Sequence, residues 1–189
     1  MRDSVITKYP MVIDGHTYTI KSYKECRGHD GPAWSANLFV DGTKTALIND
    51  DSYGGGLRWE WVGGENHFYG TSPTAVIWKD FVNSLGSWTS DDLKNKDGTP
   101  FSHKYDDDVA FEEILNIMLQ HKDFTKWCKK SVCFRLKGDD ADKYRQIGMK
   151  SKCVLTLDQV NQLRAYIAKK HGDKVIEILN SRFGVGATA

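Results

Sequence analysis

Alternation of apolar and polar residues dominates the N-terminal part of the chain. The alternating segments are residues 17–23 (TYTIKSY), 34–40 (WSANLFV), 43–49 (TKTALIN) and 57–62 (LRWEWV). A period of two is typical of strands that bury one face. Asp41-Gly42 joins two of these segments and is typical of a tight hairpin turn, because both turn residues adopt positive φ. The pattern predicts an antiparallel meander of about four strands.

Helical spacing follows the meander. A first helix is predicted to begin after a capping hydroxyl at Thr71 or Ser72, with Pro73 in its first turn, and to end at Gly86. Its apolar stripe consists of Val76, Ile77, Phe81, Val82 and Leu85. These positions recur every three or four residues, which predicts an amphipathic helix against the sheet.

A polar segment separates this helix from a second one. Residues 87–107 are polar and contain Asp97-Gly98, and we predict that they form a loop. The second helix is predicted from about 108 to 121, capped by Asp107 or Asp108. Its stripe consists of Phe111, Ile114, Leu115 and Met118.

The C-terminal third begins with a small hairpin. Residues 132–137 (VCFRLK) alternate as a strand, and residues 143–147 (KYRQI) are their predicted partner. Thr156 and Gln159 have the spacing of a capping box, which predicts a helix that ends at Gly172.

A last helix is predicted after that glycine, with Asp173 as its cap and a frayed tail from 184 to 189. Its apolar positions are Val175, Ile176, Ile178, Leu179 and Phe183. Strands first and helices later predict an α+β fold rather than a wound parallel sheet. We interpret residues 1–189 as one domain, with a weak subdivision into 1–86 (meander and helix) and 108–189 (mainly helical).

Composition allows a globular core and excludes a membrane span. The chain has 189 residues, 40% of them hydrophobic and 27% charged, and a formal net charge of +1. No segment approaches the roughly 20 apolar residues of a transmembrane helix, and the N-terminus lacks the apolar core of a signal peptide. We therefore expect a cytoplasmic protein. Its cysteines, which include no CxxC pair, are predicted to be free thiols: Cys26, Cys128, Cys133 and Cys153.

Charge is unevenly distributed along the chain. Nine acidic and three basic residues lie between Asp80 and Glu113, whereas ten basic and four acidic residues lie between Lys122 and Lys152. The basic stretch interleaves rings with cations, and its candidate binding residues are Trp127, Lys129, Lys130, Arg135, Lys137, Tyr144 and Arg145. Three interpretations stay open: a nucleotide or nucleic-acid site, a contact with an oppositely charged protein, or a solvated surface over core aromatics.

The meander contains more aromatic residues than one buried face needs. Trp59 and Trp61 share the period of Leu57 and are predicted to be core. Exposed aromatic residues tend to mark contact surfaces. The candidates for such a surface are Trp34, Phe39, Tyr53 and the neighbouring Arg58.

The sequence contains no recognisable catalytic signature. Gly54–Gly56 precede a strand rather than a helix, so they predict a turn and not a phosphate loop. Cys26, His29 and Asp30 are metal-binding residue types, but the further ligands that zinc requires cannot be named. We predict no catalytic residue, no metal and no cofactor, while an unrecognised hydrolase or transferase stays an alternative.

Three segments resemble a set of small uncharacterised proteins carried by bacteriophages and prophages. They are residues 20–51 (IKSYKECRGHDGPAWSANLFVDGTKTALINDD), 132–147 (VCFRLKGDDADKYRQI) and 169–184 (KKHGDKVIEILNSRFG). The resemblance implies a small accessory protein that acts in the cytoplasm of a bacterial host. Such proteins often counter host defences, by binding a defence protein or capturing its nucleotide signal.

The leading hypothesis is therefore a non-enzymatic accessory protein that acts by binding, in counter-defence, as an inhibitor of a host protein or a sequestrant of its nucleotide signal. A nucleotide- or nucleic-acid-binding domain is the alternative. An exposed edge strand of the meander would also allow a homo-oligomer.

Overall fold

The computed structural model describes residues 9–63, 69–139, 143–149 and 154–183, with the backbone alone at Asp91 and Asp92. The predicted tail, 184–189, and Cys153 lie outside the described residues. The elements are β1 (Met11–Ile13), β2 (His16–Arg27), β3 (Pro32–Val40), β4 (Thr43–Asp50), β5 (Arg58–Trp61), α1 (Pro73–Ser84), β6 (Ser87–Lys94), β7 (Pro100–Lys104), α2 (Asp107–Lys130), β8 (Ser131–Leu136), β9 (Arg145–Gly148), α3 (Leu157–His171), a 3₁₀ turn (Gly172–Lys174), β10 (Val175–Ile178) and α4 (Asn180–Phe183).

The antiparallel meander is confirmed, and so is the α+β class. It has five strands in chain order, because the short β1 pairs with β2 ahead of the four predicted strands. The predicted hairpin turn is present, with φ of 51° at Asp41 and 78° at Gly42. The Asp41 carboxylate also accepts a hydrogen bond from the Thr17 amide at 2.8 Å. Turn chemistry and strand alternation therefore specify the same register.

One face of the meander is buried against α1. Tyr18 of β2 packs on Phe81 of α1, with ring centroids 4.7 Å apart, and on Trp78 at 6.0 Å. The predicted cap is confirmed, because the Ser72 hydroxyl accepts a hydrogen bond from the Ala75 amide and Pro73 begins the helix. The other buried side chains of this face are Ile20, Ala36, Leu38, Val40, Ala46, Ile48 and Trp61.

Helix α2 begins where predicted, but its cap is a different aspartate. The Asp106 carboxylate accepts a hydrogen bond from the Val109 amide at 2.9 Å, so neither Asp107 nor Asp108 is the cap. Asp107 instead accepts from the indole nitrogen of Trp78 at 2.8 Å, a contact that anchors the helix start to α1. The helix continues to Lys130, well beyond the predicted end near 121, because Phe124 and Cys128 extend its apolar stripe.

The loop prediction for 87–107 is wrong. Strands β6 and β7 form a two-stranded antiparallel hairpin, closed by a hydrogen bond from the Asn95 amide to the Thr99 carbonyl at 2.8 Å. Trp88 and Phe101 support it from one side, with ring centroids 6.0 Å apart. The strands bury little apolar surface, so their hydrophobic pattern was too weak to separate them from a loop.

The predicted pairing of 132–137 with 143–147 is confirmed as β8 with β9. The last-helix prediction is wrong, because Val175–Ile178 form strand β10, which pairs with the other edge of β8. The apolar spacing of this segment suits either a helix or a strand, and three β-branched residues favour the strand. Only Asn180–Phe183 form a helix, α4.

Strand β8 is buried on both faces. Val132, Phe134 and Leu136 pack on one apolar cluster with side chains of α3, whereas Cys133 faces a second cluster with Cys128. Helix α3 begins at the predicted capping box, since the Thr156 and Gln159 side chains each accept from the other residue's amide. The predicted helix end at Gly172 is also confirmed.

The chain divides into two compact units, and the division falls after Asn116, inside α2. We call residues 9–116 the meander unit and the described residues from Ile117 onward the C-terminal unit. The C-terminal unit contains the three-stranded sheet β10-β8-β9 beside its helices, so it is more than the mainly helical part that the sequence predicts.

Candidate functional site

An open cleft of about 570 Å³ lies at the end of the meander where β2 turns into β3. Its lining comes from one continuous segment: Glu25, Cys26, Arg27, Gly28, His29, Gly31 and Pro32. Strand β4 ends and β5 begins at this same end of the meander, because Trp34 near the start of β3 pairs with Asp50, and Asn49 pairs with Arg58. The turn that follows β4 therefore lies at the same end of the meander as the cleft.

Ser52 holds the two turns together. Its hydroxyl accepts a hydrogen bond from the His29 amide at 2.9 Å, and its carbonyl accepts from the Asp30 amide at 3.3 Å. The Asp50 carboxylate accepts from the Ser52 amide at 2.8 Å, which supports the positive φ of 61° at Ser52. A Cβ atom at Gly28 would lie 1.8 Å from the Ser52 hydroxyl, so this contact requires glycine there.

Beside the cleft, the His29 ring stacks on the Tyr53 ring, with centroids 5.5 Å apart and an angle of 16° between the planes. Tyr53 is 70% exposed. The Nδ1 atom of His29 lies 2.7 Å from a carboxylate oxygen of Asp30, which fixes the ring orientation. The turn therefore presents a flat, solvent-exposed pair of rings on a hydrogen-bonded support.

The charges around the cleft are mixed. Arg27 lines it, and Arg58 nearby lies 3.6 Å from Asp51 with both side chains mostly exposed. The Glu25 carboxylate accepts a hydrogen bond from the Tyr23 hydroxyl at 2.8 Å. Burial, followed by that bond to Glu25, raises the pKa of Tyr23 to about 12, so the hydroxyl stays a donor at neutral pH. Cations and carboxylates alternate here, which suits a protein surface better than a bare phosphate.

The metal hypothesis for Cys26, His29 and Asp30 gains no geometric support. Within the described ranges, no group of three His, Cys, Asp or Glu side chains is placed to hold a metal ion. Cys26 is exposed and lines the same cleft as His29.

The sequence-based candidates of the meander unit are in three different environments. Tyr53 lies in the turn between β4 and β5, and Arg58 is the first residue of β5. Trp34 is half-buried and stacks on Phe111 at 5.9 Å, so it contributes mainly to the interior. Phe39 lies on the other face of β3, with the Lys21 ammonium 4.4 Å from its ring centroid. The predicted core pair is half-buried at Trp59 and buried at Trp61.

The C-terminal unit brings several other candidates together around Phe124. The ring of Trp127, which is 38% exposed, lies 5.3 Å from that of Phe124, and Tyr144 lies 5.1 Å away on another side. The Arg135 guanidinium lies 5.8 Å from the Tyr144 ring centroid. Lys129, Lys130 and Lys137 are exposed, with no ion pair among the described residues.

Carboxylates neutralise the arginines of this group. Glu177 lies 3.6 Å from Arg135 and 3.1 Å from Arg182, and it accepts a hydrogen bond from the Tyr144 hydroxyl at 3.2 Å. Asp139 forms a bidentate pair with Arg145, whose closest atoms are 2.6 Å apart. The Arg145 guanidinium, with the Leu136 amide, lowers the pKa of Asp139 to about 2. We call Arg135, Asp139, Tyr144, Arg145, Glu177 and Arg182 the arginine–carboxylate network.

Sequence reasoning missed Arg27, which lines the cleft, and Ser52, which holds its turn in place, and it did not consider His29 as part of a binding surface. The available signal was the spacing of two turn segments, CRGHDG and NDDSYGGG, at the same ends of paired strands. It also missed Glu177, because a helix prediction placed that residue away from Arg135. In the antiparallel register the two residues are direct cross-strand partners.

Comparisons with protein-family models, with curated proteins and with solved structures find no match for this chain. The bacteriophage resemblance therefore stays a prediction. Throughout the described ranges, no helix is both long and apolar enough to cross a lipid bilayer.

Proposed function

We propose that this chain acts by binding another protein, and that the contact surface is the cleft with its His29–Tyr53 ring pair. The observation that carries the proposal is the ring pair itself, which is exposed and yet fixed by the Ser52 contacts. A preorganised aromatic side chain loses little entropy on binding, and tyrosine and arginine are frequent at interface hot spots. Arg27 and Arg58 lie close by.

A protein fits this surface better than a phosphate-bearing ligand. The His29 imidazole already contacts Asp30, and the Arg58 guanidinium lies 3.6 Å from Asp51, so each of these side chains has a carboxylate beside it. A phosphate would have to compete with those carboxylates, whereas a protein can place opposite charges against both signs. An open cleft also suits an inserted side chain or loop of a partner.

The wider role in this proposal is counter-defence in a bacterial host, with a host defence protein as the partner. That part is supported by the bacteriophage resemblance alone. Host cytoplasm is the location that it implies.

Affinity purification of the tagged full chain from bacterial lysate, followed by measurement of affinity for the recovered partner, tests the proposal. We expect the variant R27E/Y53A to bind at least about tenfold more weakly, which corresponds to roughly 1.4 kcal/mol. The matched control, K129E/K130E, changes exposed charges of the C-terminal unit and should retain the affinity. Equal binding by wild type and R27E/Y53A would contradict the proposal.

A second candidate is nucleotide or nucleic-acid binding by the C-terminal unit. It is favoured by the exposed Trp127 beside Phe124 and by the exposed Lys129, Lys130 and Lys137. It predicts an affinity for oligonucleotides that falls steeply with salt, because phosphate contacts release counterions. In that case K129E/K130E would lose binding while R27E/Y53A would not, which is the reverse of the result expected above.

A further inference from the structure

Two cysteines of the C-terminal unit lie together in its interior. Cys128 is in the last turn of α2 and Cys133 is in β8, and both are fully buried in one apolar cluster. Their side chains are neighbours within this small cluster, which has three other buried members, Phe124, Leu179 and Phe183. The Ser131 hydroxyl also lies 3.7 Å from the Cys133 sulfur.

A buried asparagine fixes the backbone around this pair. Asn180 of α4 accepts a hydrogen bond from the Cys133 amide and donates to the carbonyls of Cys128 and Ser131, each at 2.9 Å. All the polar atoms of its side chain are thus used in holding the end of α2 against β8. Such a bridge limits the motion that would otherwise separate the two sulfur atoms.

We propose that Cys128 and Cys133 are a dithiol pair that a peroxide converts into a reversible intramolecular disulfide. The Cys133 sulfur attacks one peroxide oxygen and breaks the O–O bond, which yields a sulfenic acid and one molecule of water or alcohol. The Cys128 sulfur then attacks the sulfenic sulfur, and the hydroxide that leaves takes the Cys128 proton to form water. Two thiols are oxidised by two electrons in total and the peroxide is reduced.

The environment assigns the first attack to Cys133. Its sulfur is hydrogen-bonded by the Cys128 thiol and by the Ser131 hydroxyl, which lowers its pKa. The same bond to Cys133, together with burial, raises the pKa of Cys128, which therefore stays a thiol until the second step. Thiolate character and a neighbouring resolving cysteine are what reversible thiol oxidation requires.

Peroxide access requires local opening, because neither sulfur is exposed. Leu179 immediately precedes the four-residue α4, and Phe183 is its last residue. Both side chains pack in the same cluster as the two cysteines. Local openings that stop short of global unfolding would admit the peroxide to this pair. The disulfide should therefore form in the folded protein, more slowly than the oxidation of exposed Cys26.

Peptide mapping of the full chain tests this proposal directly. The reduced protein is treated with hydrogen peroxide, quenched with iodoacetamide in denaturant and digested with trypsin. Cleavage separates the two cysteines into residues 127–129 (WCK) and 131–135 (SVCFR). We expect a linked pair of these peptides, loss of the alkylatable thiol in each of them, and recovery of these two thiols with dithiothreitol.

Variants show which sulfurs take part. C26S and C153S should still give the linked peptides, whereas C128S should give none and should leave Cys133 as a sulfenic or more highly oxidised acid. The wild-type measurement decides the proposal even where C128S fails to fold. The proposal would be overturned if Cys128 and Cys133 remained alkylatable after prolonged treatment, long after Cys26 is fully oxidised, or if both formed separate sulfinic acids without a link.

Discussion

The cleft of the meander unit and the arginine–carboxylate network of the C-terminal unit look alike in sequence and differ in three dimensions. Both combine aromatic residues with cations, and the sequence predicts candidate binding residues in both regions. In the network, Glu177 and Asp139 lie beside Arg135, Arg182 and Arg145. At the cleft, the rings of His29 and Tyr53 are stacked on each other and are open to solvent.

The difference shows that a stretch rich in basic residues predicts a binding surface only once the carboxylates that pair with those residues have been located. The residues from Lys122 to Lys152 carry a strong positive excess, but Glu177, which neutralises two arginines, lies outside that stretch. Conversely, the cleft comes from a region without a charge excess. Availability for a partner depends on what each side chain already contacts, and strand register decides those contacts.

The largest expected effect compares the buried hydrogen bonds of Asn180 in the C-terminal unit with the exposed ring of Tyr53 in the meander unit. N180A should lower the free energy of unfolding by roughly 3–5 kcal/mol, because it leaves three buried backbone groups without their partner. Y53A should change it by no more than about 0.5 kcal/mol, since the ring is 70% exposed. Urea denaturation measures both values.

The outcome separates a structural surface from a functional one. A large loss of unfolding free energy in Y53A would mean that the ring pair is needed for folding. Its exposure would then no longer indicate a binding surface. A small loss of unfolding free energy in N180A would mean that water replaces the three hydrogen bonds of Asn180, and that the stability of the C-terminal unit does not depend on them.

Asp108 is the next test, because it joins the start of α2 to the strand β5, which also carries Arg58. Its carboxylate accepts from the Trp59 indole nitrogen at 2.7 Å and from the Leu57 amide at 2.9 Å. D108A should destabilise the protein by roughly 2 kcal/mol, since bonds to a charged acceptor are worth about 1.5–3 kcal/mol. D108N keeps one acceptor oxygen and should lose about half as much. Thermal unfolding with tryptophan fluorescence would check both, and equal effects would contradict a two-bond role.

Much of the fold was predictable because local signals agreed with one another. The Asp41-Gly42 turn, the Ser72 cap and the Thr156–Gln159 capping box are each present as expected. The hairpin β6–β7 was not predictable, since its strands bury few apolar side chains. Strand β10 was missed because its apolar spacing suits two periods, and only pairing with β8 decides between them.

The candidate site was predictable only in part, for a related reason. Tyr53 and Arg58 could be named because an aromatic ring and a cation beside a glycine-rich turn suggest exposure. The Ser52 contacts that bring His29 to Tyr53 join residues from different hairpins, and their geometry depends on a positive φ at Ser52. No periodic pattern encodes such a contact.

A third test removes the neutralising charge from the arginine–carboxylate network. E177Q keeps the size of the side chain but leaves Arg135 and Arg182 without the carboxylate beside them. We expect a loss of roughly 1 kcal/mol in unfolding free energy and stronger retention on heparin, because the surface becomes more cationic. Gradient elution against wild type and E25Q, a matched change at the cleft, measures this. Unchanged retention would mean that Glu177 does not mask the arginines.

The smallest expected effect is a difference in acid stability between the two regions. The folded-state pKa of Asp139 is lowered by Arg145 to about 2, below its ordinary value of 3.8. Its stabilising contribution is therefore complete above 3.8 and is lost as the pH falls through about 2. R145Q should be less stable than wild type near neutral pH, and this gap should close over that acid window.

Arg58 provides the matched control, because its pair with Asp51 is longer, at 3.6 Å, and lies between two mostly exposed side chains. R58Q should differ little from wild type at any pH, since exposed ion pairs of this kind contribute little to stability. Urea denaturation over the acid range would compare the three proteins. If R58Q and R145Q had the same pH profile, the ionic contacts of the cleft and of the network would be energetically equivalent, and the contrast between a self-neutralised surface and an open one would fail.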